Sequence, residues 1–86
     1  MFIGYYNNFK KSFKKLPKST RLKFQERLSL FLKEPFSLVL NNHGLSGKYK
    51  ECRSINITGD IRAIYTVNDK SVVIFIEIGT HSNLYK

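Results

Sequence analysis

Arg53-Ser-Ile-Asn-Ile-Thr-Gly-Asp-Ile-Arg-Ala-Ile-Tyr-Thr-Val-Asn-Asp-Lys-Ser-Val-Val-Ile-Phe-Ile-Glu-Ile78 is the stretch on which the fold turns. Its β-branched and aromatic runs favour a pleated backbone, and Thr58-Gly59-Asp60 and Asn68-Asp69-Lys70 interrupt them with turn-forming residues. With Tyr49 as a lead-in, the pattern predicts strands over 49–57, 61–67 and 72–78, joined as an antiparallel meander. The last run is apolar on both alternating faces until Glu77, so it should lie centrally with both sides covered.

Upstream the period changes. Phe24, Leu28, Phe31 and Leu32 recur at i, i+4, i+7 and i+8, the spacing of one helix face. Leu22 is expected on the same face, Ser19 or Thr20 as the cap, and Glu34-Pro35 as the stop, because a residue before proline disfavours helical backbone. Phe9, Phe13 and Leu16 predict a shorter helix, backed by Lys10, Lys11, Lys14 and Lys15, capped by Asn7 or Asn8 and ended by Pro17. Phe2 to Tyr6 suits a strand. The expected fold is α+β over a single domain, residues 1–86: an N-terminal strand, then a two-helix hairpin packed on one face of a mainly antiparallel four-stranded sheet.

The 86 residues carry fifteen Lys and Arg against six Asp and Glu, a formal charge of +9. Residues 1–40 hold nine of those cations and two acids, so the field is strongest in the helical half. An anionic partner follows, nucleic acid first. Cys52 is the only cysteine, so no internal disulfide can form and a reducing cytoplasm suits the chain. It is read as a small packing residue. No run approaches the roughly 20 apolar residues of a membrane span. Two histidines and one cysteine match no usual zinc spacing, so neither metal nor cofactor is expected.

Both histidines flank the sheet segment, His43 in His43-Gly-Leu-Ser-Gly47 and His81 in Gly79-Thr-His-Ser-Asn-Leu-Tyr85. Those two segments, the Arg53 run leading to Gly59-Asp60, the Ile64-Tyr65 strand end, the size and the element order resemble the RelE superfamily of toxin ribonucleases, most closely its YafQ-like branch. The resemblance covers nearly the whole chain. It implies the RelE-like microbial ribonuclease fold and a ribosome-dependent endoribonuclease that cuts messenger RNA in the A site. It also implies a cognate antitoxin as partner, and functional roles at His43, Asp60, His81 and Tyr85. The chain departs from the branch at Asn56, where another histidine is common, and at Ile61, where a tryptophan can follow the aspartate.

Metal-free RNA cleavage uses the 2′-hydroxyl as nucleophile and needs a base, an acid and cations for the phosphorane charge. Histidine supplies both proton-transfer forms near neutral pH. His81 is expected as acid or base, His43 as its titrating partner, and Asp60 as orienter or proton acceptor. Arg62 is the expected phosphorane cation, since other RelE-like toxins use a strand arginine at a similar place. Tyr85 should stack on a base or touch a phosphate. Lys48, Lys50 and Arg53, with Lys10 and Lys14 of the first helix, are expected to contact messenger or ribosomal RNA.

Plainer readings compete with these. Asp60 after a glycine is a common turn residue. Arg62 and Arg53 could be the polar face of a strand or ion-pair partners, Lys48 and Lys50 solvated edge lysines, and Tyr85 a core anchor. Two other functions fit the composition: a ParE-like toxin that poisons a topoisomerase, and a non-catalytic basic RNA-binding module.

Overall fold

In a computed structural model, which describes residues 2–85, the chain forms an α+β fold. Its elements are β1 (Ile3–Tyr5), α1 (Asn7–Lys14), α2 (Lys18–Lys33), β2 (His43–Gly44), β3 (Arg53–Asn56), β4 (Ile61–Val67), β5 (Val73–Thr80) and α3 (His81–Leu84). Short 3₁₀ turns occupy Leu38–Leu40 and Gly47–Tyr49. The sheet has five strands in the order β1-β5-β4-β3-β2, with β1 parallel to β5 and all other pairs antiparallel. The predicted meander is therefore present, and the expected count of four strands rises to five. His43 and Gly44 pair with Ser54 and Arg53 and extend the sheet at its far edge, too briefly to leave a periodic signal.

The strand expected to begin at Tyr49 begins at Arg53 instead. Gly47 adopts a positive φ of 62°, so the chain turns over Gly47–Tyr49 and lifts Tyr49 out of the sheet. The helix boundaries follow Pro17 and Glu34-Pro35 as expected, but the caps do not. No side chain caps α1 or α2; the Pro17 carbonyl accepts from the N–H groups of Thr20 and Arg21 at 3.0 Å each, so the backbone itself opens α2. Arg21 then closes α1, its Nη1 donating to the carbonyls of Leu16 and Lys14 at 3.0 and 3.3 Å. Leu22 is 60% exposed: two residues before Phe24 it lies about 200° around the helix from the buried face.

One face of the sheet carries the core. Phe9, Phe24 and Phe31 from the helices meet Phe75, Tyr65, Ile55, Ala63 and Ile78 from the strands. Phe24 and Phe75 pack edge to face at 5.4 Å and Phe31 and Tyr65 at 5.0 Å, the geometry that places positive ring edges on negative faces. Each such side chain contributes about 1.5–3 kcal/mol by burial. β5 runs inside the sheet between β1 and β4, as its two-sided apolar pattern requires. A bulge lets Ile64 pair with Glu77 while Tyr65 pairs with Phe75, so Ile76 is the extra residue.

The opposite face is different. The register places His43, Ser54, Ile64 and Glu77 in one row across the sheet, and Asn56, Arg62 and Gly79 in another. Neither row belongs to the phenylalanine core. A Cβ on Gly79 would stand 3.7 Å from Leu84, which shows α3 folded back over this second face.

Candidate functional site

The end of β5 builds the densest group of candidate residues. Thr80 caps α3 by accepting the Asn83 N–H at 3.2 Å, which starts the helix at His81. His81 and Tyr85 then stand four residues apart on adjoining turns, and their rings lie 4.7 Å apart between centroids. Tyr85 meets Tyr49 edge to face at 5.8 Å, and the Lys48 ammonium sits 5.3 Å from the Tyr49 ring. The raised turn at Gly47–Tyr49 thus closes over the C-terminal helix. Burial first, then the neighbouring Tyr49, push the Tyr85 phenol above its ordinary range, and the Arg62 charge pulls it part of the way back. The Tyr49 phenol is raised in the same sense, by burial and then by the Glu77 carboxylate. Both phenols keep their protons at neutral pH.

Arg62 lies on the same face as Asn56 and Gly79, its row partners. Its Nη1 donates to the carbonyls of Thr58 and Gly59 at 3.1 Å each, which ties the guanidinium to the β3–β4 turn. Nε and Nη2 make no side-chain hydrogen bond among the described residues. Asp60 is exposed in that turn, one residue outside the paired Ile61 and Thr80, so the register brings it to the same end of the sheet as His81. The two make no ion pair; among the described residues Lys23–Glu26 is the only one.

His43 shares the face but not the cluster. It lies on β2, three strand spacings of about 4.8 Å from β5, so roughly 14 Å of sheet separates it from the row position of Glu77. Its Nδ1 bonds the Asn41 carbonyl at 2.8 Å; the carbonyl can only accept, so Nδ1 carries the proton and Nε2 is left to gain or release one. Between the two histidines, Ser54 Oγ and Asn56 Oδ1 are buried without a hydrogen-bond partner among the described residues.

Arg53, an expected RNA contact, falls outside this face. It pairs with Tyr65 on the core side, donates through Nε to Asn42 Oδ1 at 2.7 Å, and lies over the Phe36 ring at 5.4 Å. Asn42 Nδ2 in turn reaches the Pro35 carbonyl and the Tyr65 hydroxyl, both at 2.8 Å. Arg53 therefore anchors the loop that carries His43. Lys48 and Lys50 belong to the turn rather than to a strand, and Lys10 and Lys14 are exposed on α1.

The sequence reading missed Tyr49 and Glu77. A cleft of about 320 Å³ opens beside α3, lined by Ser12 and Lys15 of α1, Lys48 and Tyr49 of the turn, and Glu77 and Asn83. The Gly47-Lys48-Tyr49 sequence was the available signal, since a glycine before Tyr49 permits the turn that places its ring.

The whole chain, residues 1–86, matches the family described as the bacterial toxin of a type II toxin-antitoxin system, YafQ. It belongs to the YafQ toxin family. The chain superposes on YafQ from E. coli strain BL21(DE3) with a TM-score of 0.82 at 25% identity, covering 98% of this chain and 97% of that one. YafQ in the E. coli DinJ-YafQ complex gives 0.73 at 26% identity over 98% and 97% of the two chains. An archaeal RelE-RelB complex from Pyrococcus horikoshii OT3 gives 0.71 at 23% identity over 92% of each chain, a likeness of fold alone. No curated protein matches the chain. The resemblance read from the two histidine segments is thereby confirmed as family membership, and the α+β fold of this YafQ-family chain is that of RelE-like toxins. No helix among the described residues is long and apolar enough to cross a membrane.

Proposed function

We propose that this chain is an endoribonuclease toxin that cuts messenger RNA in the A site of translating ribosomes and is restrained in the cytoplasm by a cognate antitoxin. The observation that carries the reading is the contact of His81 with Tyr85 beside Arg62, at the open end of the sheet.

His81 is exposed, so a phosphodiester can reach its imidazole. It transfers a proton at the scissile phosphate, taking it from the 2′-hydroxyl or giving it to the departing 5′-oxygen. Arg62, oriented by its bonds to the turn carbonyls, directs its remaining N–H groups at the added phosphorane charge. Tyr85, with its phenol protonated, offers a ring face for stacking and a hydroxyl donor. Asp60 acts from the same end of the sheet as an acceptor or orienter. His43 serves the same RNA strand from across the face, through Nε2, without touching His81. The lysines of α1 and of the Gly47–Tyr49 turn meet ribosomal RNA backbone, where cations bind without reading sequence.

The antitoxin part of the proposal rests on the family and on the E. coli relative's complex with DinJ. A charge of +9 suits a partner with an acidic or amphipathic covering segment.

The test adds purified protein to ribosomes translating a defined message and maps new 5′ ends. Cuts within the A-site codon that disappear without ribosomes are the expected result. Intact message with inhibited gyrase would replace this reading with topoisomerase poisoning, and salt-sensitive ribosome binding without cuts would reduce it to RNA docking.

A further inference from the structure

We infer that the cleft beside α3 is a base-reading subsite in which Glu77 excludes uracil from a nucleotide flanking the scissile phosphate; this rests on the nuclease reading above. β1 ends at Tyr5, opposite Phe75, and leaves the following part of β5 without a neighbouring strand. The cleft opens along that uncovered edge and adjoins α3, which begins at His81 and is followed by Tyr85. Its volume, about 320 Å³, falls within the range of small-molecule sites and admits one nucleoside.

Glu77 is the only acid among the residues lining this cleft, and Lys15 and Lys48 line it too. In so basic a chain an ion pair would be the ordinary fate of that carboxylate, yet it forms none among the described residues. Its Oε1 instead accepts from the Ser12 hydroxyl at 2.6 Å and from the Ile78 N–H at 3.0 Å. Oε2 makes no hydrogen bond among the described residues. The carboxylate is thus fixed through one oxygen while the other remains able to accept.

A carboxylate can only accept, so it selects for N–H groups. Adenine and cytosine offer an exocyclic amine, and guanine offers an imino N–H beside its amine. Uracil offers one imino N–H between two carbonyl oxygens, and both repel the carboxylate. The flanking lysines hold the phosphates on either side without reading the base, and Tyr49, whose phenol is raised in part by Glu77, supplies an aromatic wall.

The experiment cuts a randomised message on translating ribosomes with wild type, Glu77→Gln and Glu77→Asp, and maps every cut. Wild type should deplete uracil roughly tenfold at one fixed position, the scale of a good base contact. Glu77→Gln, which supplies a donor as well as an acceptor, and Glu77→Asp, which withdraws the carboxylate, should both remove that depletion. A parallel titration measures rA and rU trinucleotide binding to the same proteins by NMR. Cutting by all three proteins with one shared base profile overturns the subsite and leaves the nuclease standing. No cutting by wild type, with adenine preferred in the titration and the preference lost in Glu77→Gln, keeps the subsite and removes the nuclease. Ser12→Ala separates a purely structural Glu77: if it and Glu77→Gln lower Tm alike while uracil depletion persists in both, the carboxylate only ties α1 to the sheet and the inference fails.

Discussion

The two faces of the sheet have been put to opposite uses. On the helix side, Phe9, Phe24, Phe31 and Phe75 interlock, and the polar groups at its rim are paired, as in the chain of bonds from Arg53 through Asn42 to Tyr65. On the other side Ser54 and Asn56 keep unpaired buried atoms, and Arg62, His43 and His81 stand around them. Stability is concentrated on that packed face. The proposed RNA chemistry falls on the face outside that core, where the exposed His43 and His81 can meet a substrate.

That contrast can be broken most directly from the core. Phe75→Ala should cost about 3–5 kcal/mol in urea unfolding, enough to leave an 86-residue domain marginal. A loss below about 1 kcal/mol would mean the helix face does not carry the stability. His81→Ala sharpens the other half: cleavage should fall about 10²- to 10⁴-fold while the unfolding free energy stays within roughly 0.5 kcal/mol of wild type. Full activity would remove His81 from the mechanism.

The two arginines divide the faces within one sheet. Arg53→Ala should destabilise by about 1–3 kcal/mol, since it strips Asn42 of its donor, and should leave the cleavage rate of folded protein little changed. Arg62→Ala should slow cleavage more than it weakens ribosome association. Exchange of those two outcomes would reverse the assignment of the faces.

The smallest effect concerns pH. Tyr49 and Tyr85 have phenols raised above the ordinary value of 10.0, so the folded chain holds those protons more tightly than the unfolded chain does. Their contribution is fully present below pH 10 and is lost as pH rises through the folded values. Thermal unfolding scanned from pH 9 upward should show a decline in Tm that is shallower in the Tyr49→Phe, Tyr85→Phe double variant.

Much of this arrangement could be read along the chain. The Phe24-Leu28-Phe31 period, the two prolines and the β-branched runs fix local structure through forces that act within a few residues. The Thr80-His81-Tyr85 spacing likewise carries its own helix turn and hence the contact of the two rings. Tyr49 could not be placed in this way: its neighbours Lys48 and Lys50 imitate strand alternation, and only the turn at Gly47 reveals otherwise. Arg53 was equally opaque, because a strand residue's side is set by register with β2 and β4 and not by its own identity. Glu77 reads as a polar interruption of a buried strand until α1 brings Ser12 against it.

The amino-acid order alone determined the element types, the +9 charge, the aromatic core and the family, since periodicity, composition and short motifs are local quantities. Tertiary structure decided which cations share a face, that His43 sits three strand spacings from β5, and that a carboxylate enters a lysine-lined cleft. Those depend on strand register, the β5 bulge and the early end of β1, which arise from contacts between residues remote in sequence.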